Sequence, residues 1–141
     1  LDEMQAAVLR AKLPRLSEWN AERARLAQAY ITRLDGELGV QLPNVPNNGT
    51  HVWHLFVIRL TGPFDRDLVR KQMATDGIST SCHYPIPVHM QEAFSELDFP
   101  PGSLPVTEQI ASEILSLPLF PGMLVDQVDQ VCEVLVKALR N

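Results

Sequence analysis

The sequence predicts an α+β domain: a small, mostly antiparallel sheet flanked by helices. Three observations predict it. Residues 2–35 carry helical periodicity almost without a break. The rest of the chain alternates short β-rich runs with amphipathic helices, in the order strand, strand, helix, strand, helix, short strand, helix. At 141 residues, with ordinary hydrophobic (45%) and charged (21%) fractions, the chain is large enough to bury one core.

In the first helical stretch, Met4, Val8 and Ala11 form one stripe, Leu9, Leu13 and Leu16 a second, and Leu26, Tyr30 and Leu34 follow at a spacing of four. Asp2 is placed to cap it. Pro14 predicts a kink or a break, with Ser17 and Glu18 capping the second piece and Gly36 and Gly39 stopping it. Glu22, Arg23, Arg25 and Arg33 read first as a solvated helix face. Residues 40–42 are a short strand candidate and residues 43–49 a loop by composition. Residues 51–60, apolar on both faces, predict a central strand covered by helices on at least one side, with His54 buried and hydrogen-bonded inside it.

Gly62-Pro63 turns the chain, and Asp65 or Asp67 opens a helix that Gly77 ends. Residues 78–81 predict another strand, residues 88–97 a short helix, and residues 98–104 a loop. Residues 105–114 read as a helix with Pro105 in its tolerated first turn. Residues 114–119 form a strand that Pro118 confines to an edge or an end. The final helix, residues 125–140, carries Leu124, Val128, Val131, Leu135 and Leu139 on one stripe.

The formal net charge of −5 argues against a general nucleic-acid surface, although a few placed arginines suffice for a small anion. The apolar runs are too short to cross a bilayer, and no signal peptide is read at the start. The chain opens inside an amphipathic helix, which reads as a piece of something longer. Cys82 and Cys132 obey no metal or redox spacing and read as free thiols in a reducing, cytoplasmic setting.

The segment Thr80-Ser81-Cys82-His83-Tyr84-Pro85-Ile86-Pro87-Val88-His89-Met90-Gln91 concentrates the candidate chemistry. Two prolines stiffen it and remove two backbone donors, so it presents imidazole and phenol groups on a rigid loop. The competing reading is a stiff connector whose His and Tyr merely pack. A Cys82/His89 nucleophile pair lacks any visible means of lowering the thiol pKa. A zinc site from Cys82, His83 and His89 lacks a fourth ligand. No phosphate-binding loop, dinucleotide fingerprint or nucleophile elbow is present. Lys12, Lys71 and Lys137 all sit in charged helical surroundings, so none reads as an activated amine.

Four segments in register resemble the C-terminal part of the DegT/DnrJ/StrS sugar aminotransferases. They are Leu1 to Arg10 with Trp19-Asn20 and Arg23; Val52-Trp53-His54-Leu55-Phe56-Val57-Ile58-Arg59; Gly77-Ile78-Ser79-Thr80 followed by His83-Tyr84-Pro85-Ile86-Pro87-Val88-His89 and Gln91; and Ala111, then Glu113-Ile114-Leu115-Ser116-Leu117-Pro118-Leu119-Phe120-Pro121. The resemblance implies the C-terminal small domain of the aspartate-aminotransferase fold. Residues 1–35 become a long kinked helix leading into a small domain, residues 36–141, with the large cofactor-binding domain outside this chain. It implies pyridoxal 5'-phosphate as cofactor, carried by a lysine that this chain lacks. The implied reaction moves an amino group from a donor such as glutamate to a keto sugar linked to a nucleotide, and the loop form is similar to that of members acting on dTDP-linked 3-keto-6-deoxy sugars. His83, Tyr84 and His89 match the segment that shapes the sugar pocket, and Asn20 and Arg23 match a polar pair near the nucleotide sugar at a homodimer interface. Alternatives within the resemblance are a non-catalytic binding or regulatory member and a sugar dehydratase. A free-standing sugar-nucleotide binding module is a further alternative.

Overall fold

The computed structural model describes residues 2–45 and 49–140. The opening helical stretch forms α1 (Glu3–Lys12), a 3-10 turn (Leu13–Arg15) and α2 (Leu16–Leu34). Asp2 caps α1 through the Gln5 N–H. Ser17 does not cap α2. The backbone stays right-handed through Leu13 and Leu16, whose N–H groups already bond to Leu9 and Leu13, so no free helix start needs a cap there. Leu26, Ala27, Tyr30 and Leu34 are buried, whereas Met4, Val8, Leu9, Leu13 and Leu16 are exposed. The helical pattern is therefore right over its whole length, but only the C-terminal half of α2 joins the core.

Three antiparallel strands, β1 (Val40–Gln41), β2 (Phe56–Leu60) and β3 (Ile114–Leu117), lie in the order β1-β2-β3. Val40 pairs with Leu60, and Phe56 with Leu117. Phe56, Ile58, Leu60, Leu115 and Leu117 point into one core with α2, α3 (Arg66–Thr75) and α5 (Val125–Arg140). α4 (Pro105–Glu113) packs on β2. Asp65 caps α3, and Pro105 is the first residue of α4. β3 is an edge of the three-stranded sheet and stops at Leu117, so Pro118 stands just past its end rather than inside the expected strand over residues 114–119.

Three expected elements need correction. The strand over residues 51–60 is only half formed. The Trp53 N–H donates to His51 Nδ1 at 2.9 Å and Trp53 takes φ +50°, so a local side-chain bond competes with the ladder. Residues 78–81 contribute one bridge, Ser81 to Ser116, in place of a strand. Residues 88–97 form two 3-10 turns, Val88–Met90 and Glu92–Leu97, split by extended Gln91. Val88, Phe94 and Leu97 are exposed there, so no buried face stabilises an α-helix. In α5 the buried stripe is Val128, Val131, Cys132 and Leu135; Leu124 stands outside, its N–H capped by the Gln127 side chain.

Candidate functional site

The His/Tyr/Pro loop is fastened at both ends. At its start, the Ser116 N–H donates to the Ser81 carbonyl at 2.7 Å and the Ser81 N–H donates back to the Ser116 carbonyl at 3.2 Å. His83 Nδ1 lies 2.9 Å from Ser116 Oγ. At its end, His89 Nε2 lies 3.2 Å from Glu108 Oε1, and the ring stands edge-on to Phe99. Between these two pegs Tyr84 is 71% exposed, with Ile86 and Val88 also facing out. His83 and Tyr84 meet in a T-shaped ring contact, with centroids 5.7 Å apart, across a cis peptide bond.

Glu108 does more than meet His89. It accepts from the Gly102 N–H at 2.8 Å and from the Leu104 N–H at 3.1 Å, closing the turn that leads into α4. These two backbone donors, Gly102 first, hold its carboxyl below the usual range, with His89 adding to them and desolvation opposing. The His89 side chain is only 7% exposed, so its imidazole faces this turn.

His54 is exposed, against the expectation of a buried histidine. The left-handed turn at Trp53 breaks the alternation, so Trp53 and Phe56 go inside and His54 turns out. His54, Ser79, Ser81, His83, Ser116 and Pro118 line a recess of about 150 Å³ beside the loop. Neither His54 nor Ser116 was singled out as a site residue. Ser116 had one signal in the sequence: it is the lone polar residue in an otherwise apolar strand.

Asn20 and Arg23 meet each other on α2: Arg23 Nη2 donates to Asn20 Oδ1, and Arg23 Nε donates to the Val52 carbonyl at 3.1 Å. Among the described residues, no hydrogen bond, ion pair or ring contact joins this pair to His83, Tyr84 or His89. Three of the four charges read as a solvated face have partners: Glu22 accepts from the Gly122 N–H, Arg23 holds Val52, and Arg33 pairs with Asp129.

Among the described residues, no group of three His, Cys, Asp or Glu side chains is arranged to hold a metal. Cys82 is half-buried, and Cys132 is buried with its thiol pushed up to about 11 by desolvation. Among the described residues, no helix is long and apolar enough to cross a membrane. The described residues do not fit pyridoxal phosphate attachment: Lys12 and Lys71 are exposed, and Lys137 pairs with Asp76 at 2.9 Å. None of the three has the apolar burial that activates an amine.

The profile of the DegT/DnrJ/EryC1/StrS aminotransferase family matches residues 1–136. The chain is 45% identical over 131 residues to the erythromycin biosynthesis sensory transduction protein EryC1 of Saccharopolyspora erythraea, covering 93% of this chain and 35% of that protein. It is 44% identical over 123 residues to the dTDP-3-amino-3,4,6-trideoxy-alpha-D-glucose transaminase of Streptomyces venezuelae, covering 87% and 32%. Its fold matches the crystal structure of S. venezuelae DesV in complex with a ketimine intermediate, with a TM-score of 0.92 and 40% identity over 100% of this chain and 37% of that one. The chain thus spans about a third of the length of the relatives it matches. On the profile match and these identities, it belongs to the DegT/DnrJ/EryC1/StrS aminotransferase family.

Proposed function

We infer that this chain is the substrate-shaping, C-terminal portion of a pyridoxal-phosphate-dependent sugar aminotransferase. The whole protein transfers an amino group from a donor such as glutamate to a keto sugar carried by a nucleotide. A dTDP-linked 3-keto-6-deoxyhexose is the favoured substrate, in line with the dTDP-sugar name of the S. venezuelae relative. The cofactor supplies the electron sink, and its attachment lysine lies in a large domain outside these residues. Residues 1–35 lead into the small domain, residues 36–141. The exposed stripe of Met4, Val8, Leu9 and Leu13 is consistent with packing onto the rest of a longer protein.

The observation that carries this reading is the doubly fastened loop. Its His83 and Tyr84 are held for contact with sugar hydroxyls or phosphate, and hydrogen bonds to hydroxyls discriminate strongly between sugars. His89 holds the far end of the loop. Asn20 and Arg23 approach the nucleotide sugar at the interface of a homodimer, where the Arg23 guanidinium suits phosphate. The protein works in the cytoplasm, where Cys82 and Cys132 stay reduced.

The test is borohydride reduction of the full-length protein with pyridoxal phosphate, followed by peptide mass mapping. A reduced adduct on a lysine preceding Leu1 supports the assignment. A folded protein without any adduct overturns it. That outcome favours the second reading, a regulatory member, which the sensory-transduction name of the S. erythraea relative keeps in view.

A further inference from the structure

We propose that Ser116 is the positioning residue of His83: its hydroxyl donates to Nδ1, fixes the ring as the Nε2–H tautomer, and makes His83 a hydrogen-bond donor to an oxygen of the nucleotide sugar. The last clause rests on the functional reading above; the tautomer does not.

Ser116 is 4% exposed, the lone polar side chain in a strand of Ile, Leu and Leu. Its main chain is locked on both sides, opposite Val57 in β2 and bridged to Ser81 at the loop's start. The backbone is therefore fixed beside the loop's start, and the side chain sets its hydroxyl against the His83 ring. Among the described residues its one hydrogen-bond partner is His83 Nδ1, at 2.9 Å. A hydroxyl has a single proton to place. If Nδ1 carried hydrogen, Ser116 Oγ would accept it, and the hydroxyl proton of a side chain only 4% exposed would have no protein acceptor among the described residues. That arrangement is costly. If Nδ1 is bare, one bond satisfies both groups. The neutral ring then carries its hydrogen on Nε2, which has no hydrogen-bond partner among the described residues.

The chemistry follows from the tautomer. A ring that donates from Nε2 recognises an acceptor oxygen, such as a hydroxyl, keto or phosphate oxygen. It is in the wrong form to take a proton from substrate at Nε2. His83 thus binds and orients, and Ser116 decides which way round it does so.

The experiment uses full-length protein labelled with nitrogen-15 in the histidine rings. The His83 signal is assigned by its loss in H83N, and binding of dTDP-glucose is measured by calorimetry. The wild type should show His83 protonated on Nε2 at neutral pH. S116A should mix the tautomers and raise the dTDP-glucose Kd about 3- to 10-fold, the effect of one lost neutral hydrogen bond. S116T, which keeps the hydroxyl, should restore both. Hydrogen on Nδ1 in the wild type overturns the proposal, and that spectrum decides even where S116A fails to fold. A folded S116A with wild-type tautomer and affinity also overturns it. A wild type that does not bind dTDP-glucose sinks the dTDP-sugar assignment, while the tautomer still decides the role of Ser116.

Discussion

Removing one oxygen atom from Tyr30 tests how α2 is tied to the strand beneath the loop. Tyr30 is fully buried, stacks on Phe56 with ring centroids 4.8 Å apart, and donates its hydroxyl to the Pro118 carbonyl at 2.8 Å. Tyr30→Phe keeps the stack and leaves that carbonyl without its donor. The expected loss is about 1–2 kcal/mol. With an unfolding entropy of about 2.1 cal/mol/K per residue, the 141-residue chain loses about 0.3 kcal/mol per degree near its midpoint, so Tm falls about 3–7 °C. Tyr30→Ala also removes the ring and should cost about 3–5 kcal/mol. Burial pushes the phenol pKa well above its ordinary value. A raised folded value means the contribution is complete below the unfolded pKa of about 10 and is lost as pH rises beyond it. The assay is urea unfolding of wild type and both variants at pH 7, with the wild type repeated up to pH 11. A Tyr30→Phe loss under about 0.5 kcal/mol refutes the argument, since it means water replaces the phenol at Pro118.

Glu108→Gln keeps an acceptor for the Gly102 and Leu104 donors but removes the charge they favour. Because the folded carboxyl pKa is depressed, its stabilisation is present above the ordinary carboxylate range and is lost as pH falls through the lower folded value. The variant's urea midpoint should therefore fall less steeply than wild type between pH 6 and pH 3; equal slopes contradict this. Gly36 and Gly39 both hold left-handed φ, +75° and +82°, but only at Gly39 does an added Cβ run into the Phe64 ring. Gly36→Ala should cost about 1–2 kcal/mol and Gly39→Ala at least 1 kcal/mol more by thermal unfolding, so equal costs remove the Phe64 contact from the account. Tyr84→Phe in the full-length enzyme should raise the sugar KM or lower turnover while cofactor binding and Tm stay unchanged; unaltered kinetics make Tyr84 scaffolding.

Local signals in the sequence were the dependable ones. Asp65 before α3, Pro105 at the start of α4, Pro118 after β3 and the stripe through Val128, Val131 and Leu135 each act within a turn or two, so their meaning travels with the sequence. The loop was legible too, because its prolines and aromatic groups are adjacent in the chain. What holds it was not. Ser116 is 33 residues from His83 and Glu108 is 19 from His89, and no periodicity encodes such meetings. His54 was misplaced because one positive φ at Trp53 shifts the inside–outside phase, and a non-glycine residue gives little warning of it.

The two pegs of the loop come from one continuous piece of chain. Glu108 sits on α4 and Ser116 on β3, with no loop between helix and strand. Whatever holds that junction therefore holds both His83 and His89. Two arginines do so. Arg66, with a side chain only 9% exposed, donates to the Ala111 carbonyl at 3.0 Å, at the C-terminal end of α4 where carbonyls lack helical partners and favour a cation. Arg59 on β2 binds Glu113 through both Nε and Nη2, at 3.0 and 2.6 Å, and Gln109 with Arg59 lowers that carboxyl pKa. The loop itself buries little, yet its position relative to the sheet is set by a partly buried charge pair and a capped helix end. Precision at an exposed loop is thus borrowed from the α4–β3 junction rather than from contacts of the loop's own apolar side chains, most of which face solvent.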